Sequence, residues 1–148
     1  MENLDAVINK ISFDIVNKKI VDENQINKML GVLSNDGVYA WWVYILKELK
    51  IKSTYLCHSI FQNDNLISSI TGFNNLEELQ NLKNDIEKLA TGEDKEKKQS
   101  QNKFREWQQK MTENFQHLSK DLPSLLFFRE ILEKILIYAR YHAKAMED

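Results

Sequence analysis

The 148-residue sequence predicts an all-α fold: a compact bundle of about six or seven helices with a long, largely buried C-terminal helix. Three observations carry this. The chain holds one proline and four glycines, too few breakers for the turns of a many-stranded β fold. Its apolar residues return at steps of three and four, the spacing of one helical face. The densest aromatic stretch, "VYAWWVYIL" at 38–46, never alternates polar with apolar and so does not read as a strand.

Taken in order, Leu4, Val7, Ile8, Ile11 and Ile15 share one face of a first helix. Asp22 and Gln25 have capping-box spacing, and open a second helix carrying Ile26, Met29, Leu30 and Leu33. "SND" at 34–36 offers capping side chains for a third helix beginning at Gly37. In that helix Val38, Trp41, Trp42, Ile45 and Leu49 fall on one face, which Tyr39, Val43 and Leu46 widen, as in a helix packed on several sides. Ser53 reads as an N-cap ahead of Leu56, Ile60 and Phe61, and Gly72 closes a short piece holding Leu66, Ile67 and Ile70. Leu76, Leu79, Leu82, Ile86 and Leu89 make a further stripe, ended by Gly92. The charged segment 92–103 is a solvated loop or the exposed start of a helix, followed by the stripe Phe104, Trp107, Met111, Phe115 and Leu118. Pro123 suits the first turn of the last helix. That helix offers two apolar faces for burial: Phe128, Leu132, Ile135, Ala139 and Met146 on one, and Phe127, Ile131, Tyr138, Tyr141 and Ala145 on the other. The aromatic helix and the terminal helix are expected to clasp each other directly. The whole of 1–148 reads as a single helical domain.

Composition narrows the function. With 43% hydrophobic and 28% charged residues the chain is ordinary globular protein, not disordered polymer. No apolar run reaches the roughly 20 residues that cross a bilayer, and "MENLDAVINK" lacks the basic start and apolar block of a signal peptide. A single Cys57 leaves no internal disulfide to form, so a cytoplasmic setting without membrane association is expected. Net charge is −2, so any affinity for nucleic acid rests on a local patch.

Chemistry is sparse. His58, His117 and His142 form no ligand-spaced pair with one another or with Cys57, so no metal or other cofactor is expected. Cys57 and His58 are sequence neighbours and point roughly 100° apart on a helix, which suits structural roles better than a catalytic pair. No phosphate-binding glycine loop, nucleophile elbow or dinucleotide fingerprint occurs. The expectation is a protein without catalytic activity. Trp41 and Trp42 share a face with Ile45 and Leu49 and are placed in the core; Tyr44 lies on the other side and is left open.

Two segments together resemble a known family. "VLSNDGVYAWWVYILKE" at 32–48 has an apolar residue pair, Ser-Asn, a glycine, then an apolar-aromatic helix ending in lysine. "FFREILEKILIYARYHAKAMED" at 127–148 is a terminal helix with aromatic, Arg, aromatic and then "AKAM". Both, in this order in a small helical chain, resemble the small subunit of type III-B (Cmr-type) CRISPR effector complexes. The resemblance implies a non-catalytic helical subunit in antiviral defence, present in several copies that stack along a ribonucleoprotein. It would contact copies of itself and the backbone and large subunits, and line the path of guide RNA and target RNA with basic side chains. By matching position, Arg140 and Lys144 of the terminal helix, with Lys47 and Lys50 after the aromatic helix, become the RNA-binding or subunit-contact candidates. Each would offer phosphate a sequence-blind contact; equally, Arg140 could fork onto a neighbour's carboxylate, and all four could serve only to complement helix dipoles. A rival from another class is a small helical regulator, an antitoxin or phage-encoded inhibitor, that binds a protein partner without nucleic acid.

Overall fold

The computed structural model describes residues 3–62, 67, 70 and 72–147. Among these residues all regular structure is helical: α1 (Leu4–Asn17), α2 (Glu23–Asp36), α3 (Val38–Leu49), α4 (Lys52–Ile60), α5 (Leu76–Ala90), α6 (Asp94–Lys120) and α7 (Leu122–Ala145). The expected stripes become the core. Ile8, Ile15, Ile26, Met29, Leu33, Ile86 and Leu118 are all buried, as are Ile67 and Ile70; Leu66 lies outside the described residues.

Helix ends follow local chemistry, with two departures from the sequence reading. The capping box of α2 forms: Gln25 N–H donates to Asp22 Oδ1 at 2.8 Å, and Asp22 N–H donates to Gln25 Oε1 at 3.0 Å. Ser34, Asn35 and Asp36, expected to cap α3, instead form the last turn of α2. Gly37 alone joins the two helices, closing one through its N–H to Leu33 O at 3.1 Å and opening the next by accepting from Trp41 N–H at 3.0 Å. With one residue between helices there is no separate capping position, and its φ of 94° is a conformation that favours glycine. Ser53, expected as an N-cap, sits inside α4 and works in the opposite sense: its hydroxyl donates back to Lys50 O at 2.5 Å, and Thr54 does the same to Ile51 O at 2.7 Å. The charged segment at 92–103 is helix from Asp94 onward, and Ser100, buried within it, ties α6 to α5 by donating to Ile86 O at 3.1 Å.

The packing has two halves. α7 lies on α1 and α2, while α5 lies on α6; α3 bridges them by packing on α2, α4 and α6. The expected direct clasp of α3 and α7 is therefore corrected: their large rings meet through α6. Phe115 is the common partner. Its ring lies 6.3 Å from Trp41, 4.6 Å from Trp42, 5.0 Å from Phe73 and 6.2 Å from Phe128, centroid to centroid. The chain leading into α5 is held against this cluster at two places. Phe61 stacks on Phe73 at 4.4 Å, and the buried Asn114 amide donates to Asn74 O at 3.1 Å while its Oδ1 accepts from Asn74 N–H at 3.4 Å. Gly72 approaches α6 so closely that a Cβ would stand 2.9 Å from Leu118 N.

Candidate functional site

The aromatic helix resolves into core and fringe. Trp41 and Trp42 are fully buried, and the Trp42 indole N–H donates to Thr112 Oγ1 at 3.1 Å. Both rings build the fold and are closed to a base. Tyr44 is half-buried against the core. Tyr39 and Val43, expected to widen the packed face, are exposed instead, because α3 is covered by α2, α4 and α6 on one side only.

The four candidate cations stand on two helices that are joined through α2 and α6. Lys47 and Lys50 are exposed at the C-terminal end of α3. Lys50 closes the helix with φ 53° and ψ −125°, a conformation costly for any residue with a Cβ. Arg140 is half-buried on α7. Among the described residues no ion pair or hydrogen bond occupies Lys47 or Arg140. Lys144 is different. Its ammonium lies 4.0 Å from Glu23 at the start of α2, and Glu147 hydrogen-bonds to the same Glu23, which raises the Glu147 carboxyl above its ordinary range. Lys144 thus balances two carboxylates at the end of the bundle. Its neighbour in function on α7 is Arg129, to which the sequence reading gave no role: its guanidinium donates to Ser34 O at 3.1 Å and satisfies a terminal carbonyl of α2.

α7 buries one of its two apolar faces. Phe128, Ile131, Leu132, Ile135, Leu136 and Ala139 face inward. The second face is a correction: Phe127, Tyr138 and Tyr141 are 46%, 39% and 61% exposed and Ala145 faces outward, with only Ile131 of that face buried; Met146, expected on the first face, is exposed as well. The physical reason is that α1, α2 and α6, the elements packed on α7, meet it through the face of Phe128, Leu132 and Ile135 and leave these rings uncovered. The Lys134–Glu130 pair, 3.7 Å apart, lies among these rings. Phe13 of α1 extends the aromatic surface and meets the His142 ring edge-on at 5.6 Å.

Cys57 and His58 line a small cavity of about 30 Å³ beside Trp107 and Met111, room for little more than a water or two. Burial pushes the Cys57 thiol far up, so it stays protonated and is a poor nucleophile. No group of three or more His, Cys, Asp or Glu residues that could hold a metal ion occurs among the described residues, and no helix there is long and apolar enough to cross a membrane. No family model matches the chain, and no curated protein or solved structure is similar enough to be matched with it.

Proposed function

We propose that this chain is a non-catalytic small subunit of a type III CRISPR RNA-guided effector ribonucleoprotein, acting by position and charge. The observation that carries the reading is the pair of segments at 32–48 and 127–148, which resemble that family and which in this chain form an aromatic helix after a one-residue corner at Gly37 and a long terminal helix. Two surface features agree with a subunit that works by contact. The outer face of α7 presents Phe127, Tyr138 and Tyr141, rings of the kind that anchor protein interfaces. Lys47, Lys50 and Arg140 are cations with no acidic partner within the described residues, suited to phosphate. Lys144 contributes less to such a surface, because Glu23 already accompanies it.

The test is purification of the tagged chain from its native host, with the accompanying proteins and RNA identified. Guide RNA and helical-backbone subunits are expected together; their absence ends the proposal. A protein regulator without nucleic acid is the second reading, favoured by the acidic surroundings of Lys144, and it predicts a single protein partner and no RNA.

A further inference from the structure

We propose that the cleft between α1, α4 and α5 binds a small phosphate-bearing dianion, gripped by Lys18, His58 and Lys83. The inference goes beyond the proposed function and does not depend on it. The cleft is lined by Lys18, Ile20, Tyr55, His58, Ser59, Lys83 and Glu87 and has a volume of about 390 Å³, within the roughly 300–1,000 Å³ of small-molecule sites.

The three elements converge for simple geometric reasons. Tyr55, His58 and Ser59 are spaced i, i+3, i+4 and so share one face of α4; Lys83 and Glu87 are one turn apart on α5, 2.9 Å from each other. Lys18 is brought in by the end of α1, where Lys19 adopts φ 57° and Ile20 N–H returns to Ile15 O at 3.0 Å. This is a Schellman-type close that turns the chain sharply and buries Ile20.

The charges do not cancel. Two ammonium groups and one carboxylate line the cleft, leaving one positive charge in excess beside an imidazole. Lys83 cannot swing away freely: its side chain is only 15% exposed and its ammonium lies 5.6 Å from the centroid of the Tyr55 ring. His58 registers the excess. Burial first, then Lys83 and Lys18, lower its pKa from 6.5, against a smaller opposing pull from Glu87. Glu87 already pairs with Lys83 at 2.9 Å, so the surplus charge is that of Lys18, whose side chain is exposed and has no acidic partner among the described residues. A dianion would neutralise it and allow His58 to take up a proton, bringing three charged donors to one tetrahedral group, with the hydroxyls of Tyr55 and Ser59 on the same wall. The acceptors of phosphate outnumber those of a lone carboxylate and match this donor set.

The experiment follows the His58 ring protons by NMR in the intact chain, titrating sodium phosphate, and separately a nucleoside 5′-monophosphate, against sodium chloride at equal ionic strength. A saturable response to both phosphate compounds, with the His58 pKa moving upward, is expected; tighter binding of the nucleotide would show that the cleft also reads the base and sugar. Lys18 is exposed at a helix end, so Lys18→Gln should fold normally while weakening the response about tenfold; Lys83→Gln should weaken it further. A His58 titration identical in phosphate and chloride would overturn the proposal, as would a phosphate response untouched by Lys18→Gln.

Discussion

Trp42 of α3 stacks on Phe115 of α6, centroids 4.6 Å apart and planes at 22°, and its indole N–H reaches Thr112 on the same helix. One side chain therefore ties α3 to α6 by both faces of its chemistry, dispersion and a hydrogen bond. The ring also touches Trp107 at 5.7 Å. Trp42→Ala should cost about 3–5 kcal/mol of stability, as removal of large core rings does, read from urea unfolding. Trp42→Phe should cost less, because the stack is retained and Thr112 keeps its own bond to Gln108 O at 2.7 Å. An unchanged midpoint in Trp42→Ala would mean the ring is not core.

Asn114 is a buried amide in an otherwise apolar stripe, and both its polar atoms are used on the backbone of Asn74. Asn114→Ala leaves the carbonyl and N–H of exposed Asn74 to water and should destabilise by about 1 kcal/mol. Hydrogen exchange at Asn74 should accelerate more than exchange in α1. Uniform loss of protection across the chain would show that Asn114 has no local clamp to release.

Lys50 occupies a backbone conformation that suits glycine. Lys50→Gly relieves the strain at some cost in unfolded-chain entropy, and should raise stability by about 1 kcal/mol. The same variant removes a candidate phosphate contact, so assembly with RNA should weaken while the thermal midpoint rises; if assembly is unaffected, Lys50 is not at the RNA. For α7 the matching variant is Arg140→Glu with Lys144→Gln. Lys144→Glu would place a third carboxylate beside Glu23 and Glu147 and confuse lost folding with lost binding.

His58 gives stability a pH dependence with a definite sign. Its folded pKa is lowered below the ordinary 6.5, so the unfolded chain binds the proton more readily. Its contribution is present above pH 6.5 and is lost as pH falls through the lowered value. His58→Gln should flatten the decline in unfolding free energy on the acid side of neutrality, and a variant with the same slope as wild type would contradict the assignment.

The sequence carried the helices because apolar spacing is a local property: every stripe from Ile8 to Leu132 was legible from its own neighbours. Corners were less so. Ser34 to Asp36 and Ser53 have the composition of N-caps, yet a hydroxyl that donates backward to a carbonyl uses the same residue types as one that accepts forward. The outward face of α7 was misjudged because periodicity reports that Tyr138 and Tyr141 align, not whether another helix covers them. The anion cleft was invisible, since Lys18, His58 and Lys83 converge only through tertiary packing of three helices. Lys144 looked free for RNA because its partner Glu23 lies far away in sequence.

The central claim is that this chain works as one subunit of an RNA-containing assembly. Its most direct test is the mass of the complex purified through the tagged chain from its native host, measured by light scattering before and after nuclease treatment. The account predicts a large particle with an absorbance ratio marking RNA, containing more than one copy of the chain and losing mass with nuclease. A nuclease-indifferent 1:1 protein complex would contradict it.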